Sequence, residues 1–493
     1  MSTLPVAEVD PSQHAGPDRR IQRQWAEMPL SERLRRVCRL RQRIVERADA
    51  LCAAVAEDLG KPAVETLACE ILPWAEACRF LERRAATLLR PRRVSLRDTP
   101  LWLWGQRDTV YRRPRGIVGI IGTWNYPIYL NGVQIVQALT AGNAVWWKPS
   151  EVAPRTADAL WDVFLEAGFP AGLLARLPAT REAGRILTDG DVDHVVFTGH
   201  ADTGRIIAGH LGRRLVSSTL ELSGCDALFV LDDADLDLAA QAVGFGIRLN
   251  AGQTCLAVRR VFVARSVYEA FLRILEPLVV AQPPVRLALA RQREQAEQLI
   301  AEAVAQGARI LGHDSKAPPT PTDSDPLAMR MTVLADVAPD MAFCREATFA
   351  PVAAVLPFDR LEEALDAQNL CPYALGASVF TRRPDLARRI AARLRTGSVC
   401  VNDVIAPTAH PATPFGGSGA SGWGVTQGAE GLLEMTFPQV VSQRGGSWRP
   451  HFAPPGSSRF TSRATLEAML RWQHAATWRQ RWSALLELLR SLS

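Results

Sequence analysis

Three residues in this sequence have the chemical types and local settings needed for reaction at a carbonyl carbon. Cys255 follows a Gly-Gln turn in "NAGQTCLA", where a thiolate is exposed and a backbone N–H lies near a developing oxyanion. Glu221 ends an apolar run in "STLELSG", where burial would raise the pKa of a general base. Asn125 in "GTWNYP" has an amide that can donate to an oxyanion. Taken singly, each also fits a structural role: a core cysteine, a solvated strand end and a turn-forming asparagine.

A second group of residues is typical of the carboxyl end of a parallel sheet. Lys148 and Glu151 in "WKPSE" directly follow an apolar run, and ligands of open α/β sheets gather at that position. In "VFTGHADTGRII", Gly199 and Gly204 follow a second run but stand five residues apart, so the stretch is not the usual dinucleotide fingerprint. Only three of the 57 Lys and Arg residues are lysines, so a lysine at position 148 indicates a specific role.

The elements that must position these residues alternate between strand and helix patterns, which predicts an α/β fold with a mostly parallel sheet. Apolar residues recur at helical spacing from Arg19 to about Phe80, with Gly60 as a stop. Strands are predicted at "GIVGIIG", "AVWWK", "DHVVFTG", "STLEL" and "DALFVL", and helices at 155–168 and 236–249. "LWLWGQRDTVYRRPRG" predicts a hairpin around Gly105, and "GHDSKAPPTPTDSDP" a flexible loop.

Composition narrows the function classes. The 493 residues are enough for two or three domains, and the net charge of +6 lies mostly in residues 447–493, so no nucleic-acid partner is expected. Nine cysteines without a C-x-x-C pair favour neither a disulfide framework nor a zinc site, and no metal is expected. No apolar run reaches the roughly 18 residues of a membrane span, and no secretion signal is visible. We therefore expect a cytoplasmic protein.

Together and in this order, the motifs resemble the aldehyde dehydrogenase superfamily from about Arg19 to Val440. The shared motifs are "DLGKP", "GTWNYP", "KPSE", "FTG", "LELSG", "NAGQTCLA", "EATFAP", "VND" and "PFGGSGASGWG". The sequence is most similar to the fatty and aromatic aldehyde branch. The features that point to this branch are the last motif, the short chain before Cys255 and the prolines at 454 and 455. The resemblance implies a Rossmann-type cofactor domain (1–97 and 114–225), an α/β catalytic domain (226–424), a bridging β arm (98–113 and 430–446) and a basic amphipathic tail (447–493).

The resemblance also implies a role for each site residue. Cys255 is the nucleophile that attacks the aldehyde, Asn125 and the backbone N–H of Cys255 form the oxyanion hole, and Glu221 activates the water that releases a carboxylic acid. The implied cofactor-binding set is Trp124, Lys148, Glu151, Gly199, His200, Gly204 and Phe349. NAD is expected, because a carboxylate at 151 repels the 2′-phosphate of NADP, which remains the alternative cofactor. The arm implies a homodimer.

Several positions depart from the family pattern. Ala347 stands where a second glutamate usually binds the nicotinamide ribose, and a lost charge-assisted hydrogen bond costs about 1.5–3 kcal/mol. His200 replaces a common serine; the other departures are Thr123 for proline, Ser223 for glycine, Cys225 for lysine and Ala350 for glycine. We expect a working enzyme with altered cofactor geometry. Two alternatives stay open: a CoA-acylating enzyme or acyl-CoA reductase, and a catalytically weakened binding protein.

The tail carries one further pattern. Trp478, Trp482, Leu485, Leu489 and Leu492 recur at helical spacing among arginines, in a helical pattern from Ala464 to Leu492. Basic helices that carry tryptophan can lie in a membrane interface, so peripheral membrane contact is one interpretation of the tail, and in that case long-chain aldehydes are the natural substrates. The alternative is a helix packed on the body or on a second subunit.

Overall fold

The computed structural model describes residues 15–100, 103, 105–312, 325–447 and 449–492. The predicted flexible loop at 312–326 lies almost entirely outside the described residues, as do Leu101, Trp102 and Trp104 of the predicted hairpin and Trp448 of the linker. Contacts divide the described chain into two compact units. One contains the described part of residues 1–90 together with 111–439, and the other contains the described parts of 91–110 and 440–493.

The described chain alternates helices and strands, as the sequence predicts. The α-helices are α1 (Arg19–Glu27), α2 (Leu30–Glu46), α3 (Ala48–Leu59), α4 (Ala63–Thr66), α5 (Leu72–Leu88), α6 (Tyr129–Ala141), α7 (Pro154–Glu166), α8 (Glu182–Asp189), α9 (Ala201–Arg213), α10 (Leu236–Arg248), α11 (Tyr268–Val280), α12 (Ala290–Ala305), α13 (Leu361–Leu370), α14 (Pro384–Ala391), α15 (Gly428–Glu434), α16 (Arg463–His474) and α17 (Trp478–Leu492). The strands are β1 (Arg92–Arg93), β2 (Gln106–Pro114), β3 (Ile117–Ile121), β4 (Ala144–Lys148), β5 (Leu174–Arg176), β6 (His194–Gly199), β7 (Ser217–Leu222), β8 (Asp226–Val230), β9 (Val258–Ala264), β10 (Val285–Arg286), β11 (Arg309–Ile310), β12 (Ala328–Met329), β13 (Thr332–Ala335), β14 (Val352–Phe358), β15 (Tyr373–Ala374), β16 (Gly376–Phe380), β17 (Ser398–Val401), β18 (Ser418–Gly419), β19 (Gly422–Trp423) and β20 (Thr436–Arg444).

A six-stranded sheet has the order β19-β7-β6-β3-β4-β5, and all of its strands except β19 run parallel. Every residue of β3 and β4 is buried, which explains why these strands are continuous apolar runs rather than alternating ones. Because the strands are parallel, their carboxyl ends meet at one edge. That edge brings together Lys148, Gly199 and the Glu221 region, which the sequence places far apart.

A seven-stranded sheet has the order β11-β13-β14-β9-β8-β16-β17 and is parallel except for β11. It lies within the range predicted for the catalytic domain, and β3 to β7 lie within the range predicted for the cofactor domain. The chain passes from one sheet to the other between Leu222 and Asp226, directly after Glu221. The loop that carries Cys255 lies between α10 and β9, next to this passage.

One sequence prediction was wrong in its elements, and another is only partly covered by the described residues. The predicted hairpin around Gly105 falls partly on Leu101, Trp102 and Trp104, which lie outside the described residues; its second half is the strand β2, which pairs with β1 and β20. The single tail helix is two helices, α16 and α17. The break has a local cause, because the Thr477 hydroxyl accepts from the Gln480 N–H while the Gln480 side chain accepts from the Thr477 N–H, which starts a new helix.

Candidate active site

The Cys255 loop has an unusual backbone. After α10, three consecutive residues have positive φ: Asn250 (52°), Ala251 (56°) and Gly252 (74°). The left-handed conformation costs a residue with a side chain about 1 kcal/mol or more, so surrounding contacts must hold it. A fully buried guanidinium supplies them: Arg259 donates to the carbonyls of Gly252 and Ala350, the latter at 2.5 Å. The loop is therefore fixed before any substrate binds.

Asn125 lies against this loop. Its Nδ2 donates to the Gln253 carbonyl at 3.0 Å, and its own backbone carbonyl accepts from Asn250 Nδ2 at 2.8 Å. The Thr123 hydroxyl donates to Asn125 Oδ1 at 2.8 Å, which fixes which end of the amide points toward the Cys255 loop. Tyr126 and Thr254 join hydroxyl to hydroxyl at 2.6 Å. The structure thus places Asn125 against the loop that carries Cys255, and Thr123 is a contributor that the sequence did not reveal.

A buried ion pair supports Asn125 from the other side. Lys61 Nζ lies 2.6 Å from Glu70 Oε1 and donates to the Asn125 carbonyl at 2.8 Å. Glu70 Oε2 accepts from the Ile128 N–H at 2.8 Å, just before α6. Glu70 lies in a short π-helix, Leu67–Ile71, a conformation frequent at functional sites. The "DLGKP" motif by itself indicates no role for Lys61, although the scarcity of lysine in this chain is a usable signal.

Cys255 is half-buried and lines a cavity of about 290 Å³. Most of the other lining residues are apolar or aromatic, among them Pro73, Tyr126, Tyr129, Leu130, Phe245, Leu256, Ile405 and Phe415. Asp403 is the one charged residue among the lining residues, and within the described chain no lysine or arginine lines the cavity. Apolar walls around a reactive thiol suit an apolar ligand with a reactive end.

Glu221 is almost fully buried near the carboxyl end of β7. The Thr426 hydroxyl donates to one carboxylate oxygen, and the Thr198 hydroxyl donates to the other at 3.3 Å. Burial raises the pKa of Glu221 to about 7, and these two hydrogen bonds oppose the rise. A carboxylate with this pKa exchanges protons readily at neutral pH, as a general base must.

The chain after Glu221 lies directly against Cys255. A Cβ atom on Gly224 would lie 2.4 Å from the Cys255 carbonyl oxygen, so only glycine permits this approach. Burial raises the pKa of the Cys255 thiol, and the nearby charges of Glu221 and Asp226 raise it further. The residue is therefore a protonated thiol until a base accepts its proton. Cys255, Asn125 and Glu221 therefore lie in one region of the structure.

The predicted cofactor residues Lys148 and Glu151 form an ion pair at the end of β4. Lys148 Nζ lies 3.1 Å from Glu151 Oε2, and the exposed Arg181 donates to Glu151 Oε1 at 3.0 Å. Burial opposes ionisation of Glu151, but its own backbone N–H, Lys148 and Arg181 outweigh burial and lower the pKa to about 2. The pair offers a donor and an acceptor to a diol, as a ribose presents. Arg181 was not predicted from the sequence.

The predicted phosphate segment has a helix N-terminus at its centre. His200 is the N-cap of α9, and its Nδ1 accepts from the Asp202 N–H at 3.3 Å. Gly204, which the sequence predicts at the phosphate, is the fourth residue of α9. Its N–H donates to the His200 carbonyl, and a Cβ there would lie 2.6 Å from Leu222, so Gly204 lets α9 pack closely on β7. Gly199 ends β6 beside the helix start. The start of α9 still provides the positive end of a helix dipole.

Trp124 and Phe349, both predicted at the cofactor, face each other with ring centroids 6.0 Å apart. Ala347 is buried, and its carbonyl accepts from Gln295 Nε2 at 3.4 Å, whereas Glu346 is exposed. Glu346 therefore does not take the place of the missing glutamate. A diol-binding ion pair, a helix N-terminus and an aromatic pair fit the ribose, pyrophosphate and ring of a nicotinamide dinucleotide. In the described residues, no group of three or more His, Cys, Asp or Glu could hold a metal ion.

Comparison with known proteins supports the assignment of this site to a nicotinamide-dependent enzyme. The profile of the aldehyde dehydrogenase family matches residues 14–441. The chain belongs to the aldehyde dehydrogenase family. It is 34% identical to 4,4'-diapolycopene aldehyde oxidase of a Methylomonas species over 84% of this chain and 78% of that protein. It is 33% identical, over 90% of this chain and 86% of the other, to a Mycobacterium bovis protein whose name places it among the NADP-dependent succinate-semialdehyde dehydrogenases.

Solved aldehyde dehydrogenase structures have the same fold. A Mycobacterium tuberculosis aldehyde dehydrogenase with NAD+ bound superposes with a TM-score of 0.78 at 30% identity, covering 85% of this chain and 86% of the other. A Burkholderia cenocepacia relative superposes with a TM-score of 0.81 at 30% identity, covering 88% and 89%. This aldehyde dehydrogenase oxidises an aldehyde with NAD or NADP. The sequence therefore predicted the enzyme class and the cofactor class correctly, and the superpositions confirm the predicted fold class.

Proposed function

We propose that this aldehyde dehydrogenase converts long, apolar aldehydes to carboxylic acids through a covalent intermediate on Cys255. The observation that carries the proposal is the Cys255 thiol at the wall of a cavity whose lining is mainly apolar. Burying an alkyl or polyene chain in such a cavity contributes about 25 cal/mol per Å² of apolar surface. The name of the Methylomonas relative, which refers to a carotenoid-type aldehyde, points in the same direction.

The chemistry follows from three residues. Cys255 sulfur bonds to the aldehyde carbon, the thiol proton passes to solvent water, and the aldehyde oxygen becomes an oxyanion. The Asn125 amide and the Cys255 backbone N–H donate to that oxyanion. A bound NAD or NADP would supply the acceptor for the hydride that the carbon loses, and Cys255 then holds the acyl group as a thioester. Glu221, when ionised, takes a proton from water as that water attacks the thioester, and the acid is released.

The proposed cofactor site is built on the ion pair at the end of β4 and on the start of α9. We propose that Lys148 and Glu151 bind the adenosine ribose, that the α9 N-terminus at His200 receives the pyrophosphate, and that Trp124 and Phe349 flank the nicotinamide end. The contact with Arg181 partly neutralises Glu151, which lowers its repulsion of a 2′-phosphate. Use of NADP beside NAD is consistent with this arrangement.

A charged substrate such as succinate semialdehyde is the competing possibility, because a relative carries that name. A lysine or arginine in the cavity would favour binding of its carboxylate. Within the described chain the lining residues include none, and Asp403 would repel the carboxylate. We therefore favour uncharged aldehydes.

The test is a substrate series with NAD: butanal, octanal, dodecanal and succinate semialdehyde, each with and without coenzyme A. We expect kcat/KM to rise with alkyl length, to be lowest for succinate semialdehyde, and to be independent of coenzyme A, with free acid as product. Turnover that requires coenzyme A would support the acylating alternative instead. A preference for succinate semialdehyde would contradict the apolar-substrate proposal.

We also propose a homodimer built on β20. This edge strand leaves Phe437, Val440 and Val441 exposed, and an exposed apolar edge is a surface to which another strand can add. Light scattering during gel filtration should give twice the chain mass for the native protein. Val440→Lys should shift it toward the monomer, and a native monomer would contradict the proposal. A cytoplasmic location remains a prediction from the sequence.

A further inference from the structure

The two tail helices each have a buried face and an exposed face. Thr465 and Ala468 of α16 and Ala484 and Leu488 of α17 are buried, and α16 and α17 pack against each other. An ion pair between Arg471 and Glu487, 2.6 Å apart, links the two helices. Their inner faces therefore already have partners within the tail, so the exposed residues belong to a different surface.

That surface, which we call the tail stripe, consists of Trp478, Trp482, Leu486 and Leu489. Their spacing of four, four and three residues puts them on one side of α17. Trp478 is 73% exposed and Trp482 is 59% exposed. The stripe differs from the sequence prediction, because Leu485 is half-buried and Leu486 is exposed, while the side chain of Leu492 lies outside the described structure. Leu466 and Leu470 of α16 are also exposed.

Arginines flank the stripe. Arg479 stacks over the Trp478 ring at 5.7 Å, and Arg481 donates to the Ala475 carbonyl at 2.6 Å. Within the described tail, the two glutamates are already paired, Glu467 with Arg463 and Glu487 with Arg471. The positive charges of Arg479 and Arg481 therefore have no neutralising carboxylate among the described tail residues. An apolar stripe between cationic side chains matches an anionic lipid surface.

We propose that the tail stripe lies in the interface of an anionic lipid bilayer, with α17 parallel to the membrane plane. Tryptophan favours this position because its ring is apolar and its N–H remains in contact with the headgroups. None of the helices in the described chain is long and apolar enough to cross a bilayer, so the contact is peripheral. A second copy of the tail fits less well, because pairing two stripes brings arginines of both copies together.

The proposal does not rest on the catalytic one. Sedimentation of the full-length enzyme with phosphatidylcholine vesicles, with and without phosphatidylglycerol, tests it directly. We expect binding to the phosphatidylglycerol vesicles that falls at high salt, and weak binding to phosphatidylcholine alone. Trp478→Ser with Trp482→Ser should lower the partition coefficient at least tenfold, and Arg479→Gln with Arg481→Gln should lower it several-fold and remove the salt dependence.

A matched control uses exposed apolar residues outside the tail. Leu215 and Val64 are 94% and 75% exposed, and Leu215→Ser with Val64→Ser should bind vesicles as the native enzyme does. Oxidation of butanal in vesicle-free buffer should be unchanged in all of these variants, which shows that they fold. The proposal is overturned if the native enzyme does not sediment with anionic vesicles or if the tryptophan variant sediments equally. It is also overturned if that variant instead loses a dimer on gel filtration, which would make a second copy the occupant.

Discussion

The nucleophile region around Cys255 and the cofactor region around Glu151 differ in burial and in the way their polar groups are held. Asn125 and Glu221 are almost fully buried and are held by hydroxyls of Thr123, Thr198 and Thr426. In the cofactor region, Glu151, Arg181 and His200 are exposed to solvent. Charges act more strongly in a buried site, so small changes there should cost more catalysis than changes at the exposed ion pair.

Removing the nucleophile gives the largest expected effect. Cys255→Ala should reduce octanal oxidation by at least about 10³-fold, because no other group can form the thioester. NADH absorbance measures the loss. Cys69→Ala is the matched control, since Cys69 lines the same cavity, and it should keep most of the activity. Loss of activity in the Cys69 variant together with full activity in the Cys255 variant would reverse the assignment.

Glu221→Gln should slow release of the acid by about 10²-fold and leave the first half of the reaction faster than the second. Rapid mixing should then show a burst of about one NADH per active site followed by slow turnover. In the native enzyme, acid release should rise with pH through about 7, the pKa of Glu221. A burst-free variant with normal steady-state rate would show that another base activates water.

The same residue predicts a dependence of stability on pH. Because burial raises the pKa of Glu221 in the folded state from its ordinary 4.5 to about 7, its favourable contribution is present below about pH 4.5 and is lost as pH rises through 7. Native enzyme should therefore lose about 3 kcal/mol more of its free energy of unfolding than Glu221→Gln between these pH values. Urea unfolding of both proteins at both pH values measures this difference. An equal loss of unfolding free energy in the native enzyme and in Glu221→Gln would contradict the raised pKa.

Thr123→Val should lower kcat about fivefold with little change in KM. The variant keeps the shape of the side chain but removes the hydrogen bond that orients the Asn125 amide, which is worth about 1 kcal/mol. A deuterated aldehyde should then show a larger isotope effect on kcat, because hydride loss becomes slower. Thr123→Ser should restore most of the rate. Equal damage by serine and valine would mean that Thr123 only packs.

Glu151→Gln should give the smallest effect. It removes a carboxylate beside the proposed ribose site, so the dissociation constant for NADPH should fall and that for NADH should rise, each by about fivefold for a partly exposed charge. Fluorescence titration of the two reduced cofactors measures the change without turnover. Arg181→Ala should act in the opposite direction on NADPH. No change in either constant would place the adenosine ribose elsewhere.

The fold was predictable to the extent that local pattern decides element type. Buried parallel strands appear as apolar runs, so β3, β4, β6, β7 and β8 were predicted correctly. The partners of β2 were not predictable, because an isolated β-like run does not specify its partner and β2 pairs with β1 and with the distant β20. The tail break at residues 475–477 was missed because a continuous apolar pattern hid a capping interaction between Thr477 and Gln480.

The sequence by itself determined the order of most strands and helices and the family motifs. It also identified the candidate site residues Cys255, Glu221, Asn125, Lys148 and Glu151. Only the tertiary structure decided that Thr123 orients Asn125, that Lys61 and Glu70 support it, that Gly204 lets α9 pack on β7, and that Arg181 contacts Glu151. The physical reason is that residue types and spacing are local, whereas hydrogen-bond partners, burial and therefore pKa depend on which distant segments the sheet register brings into contact.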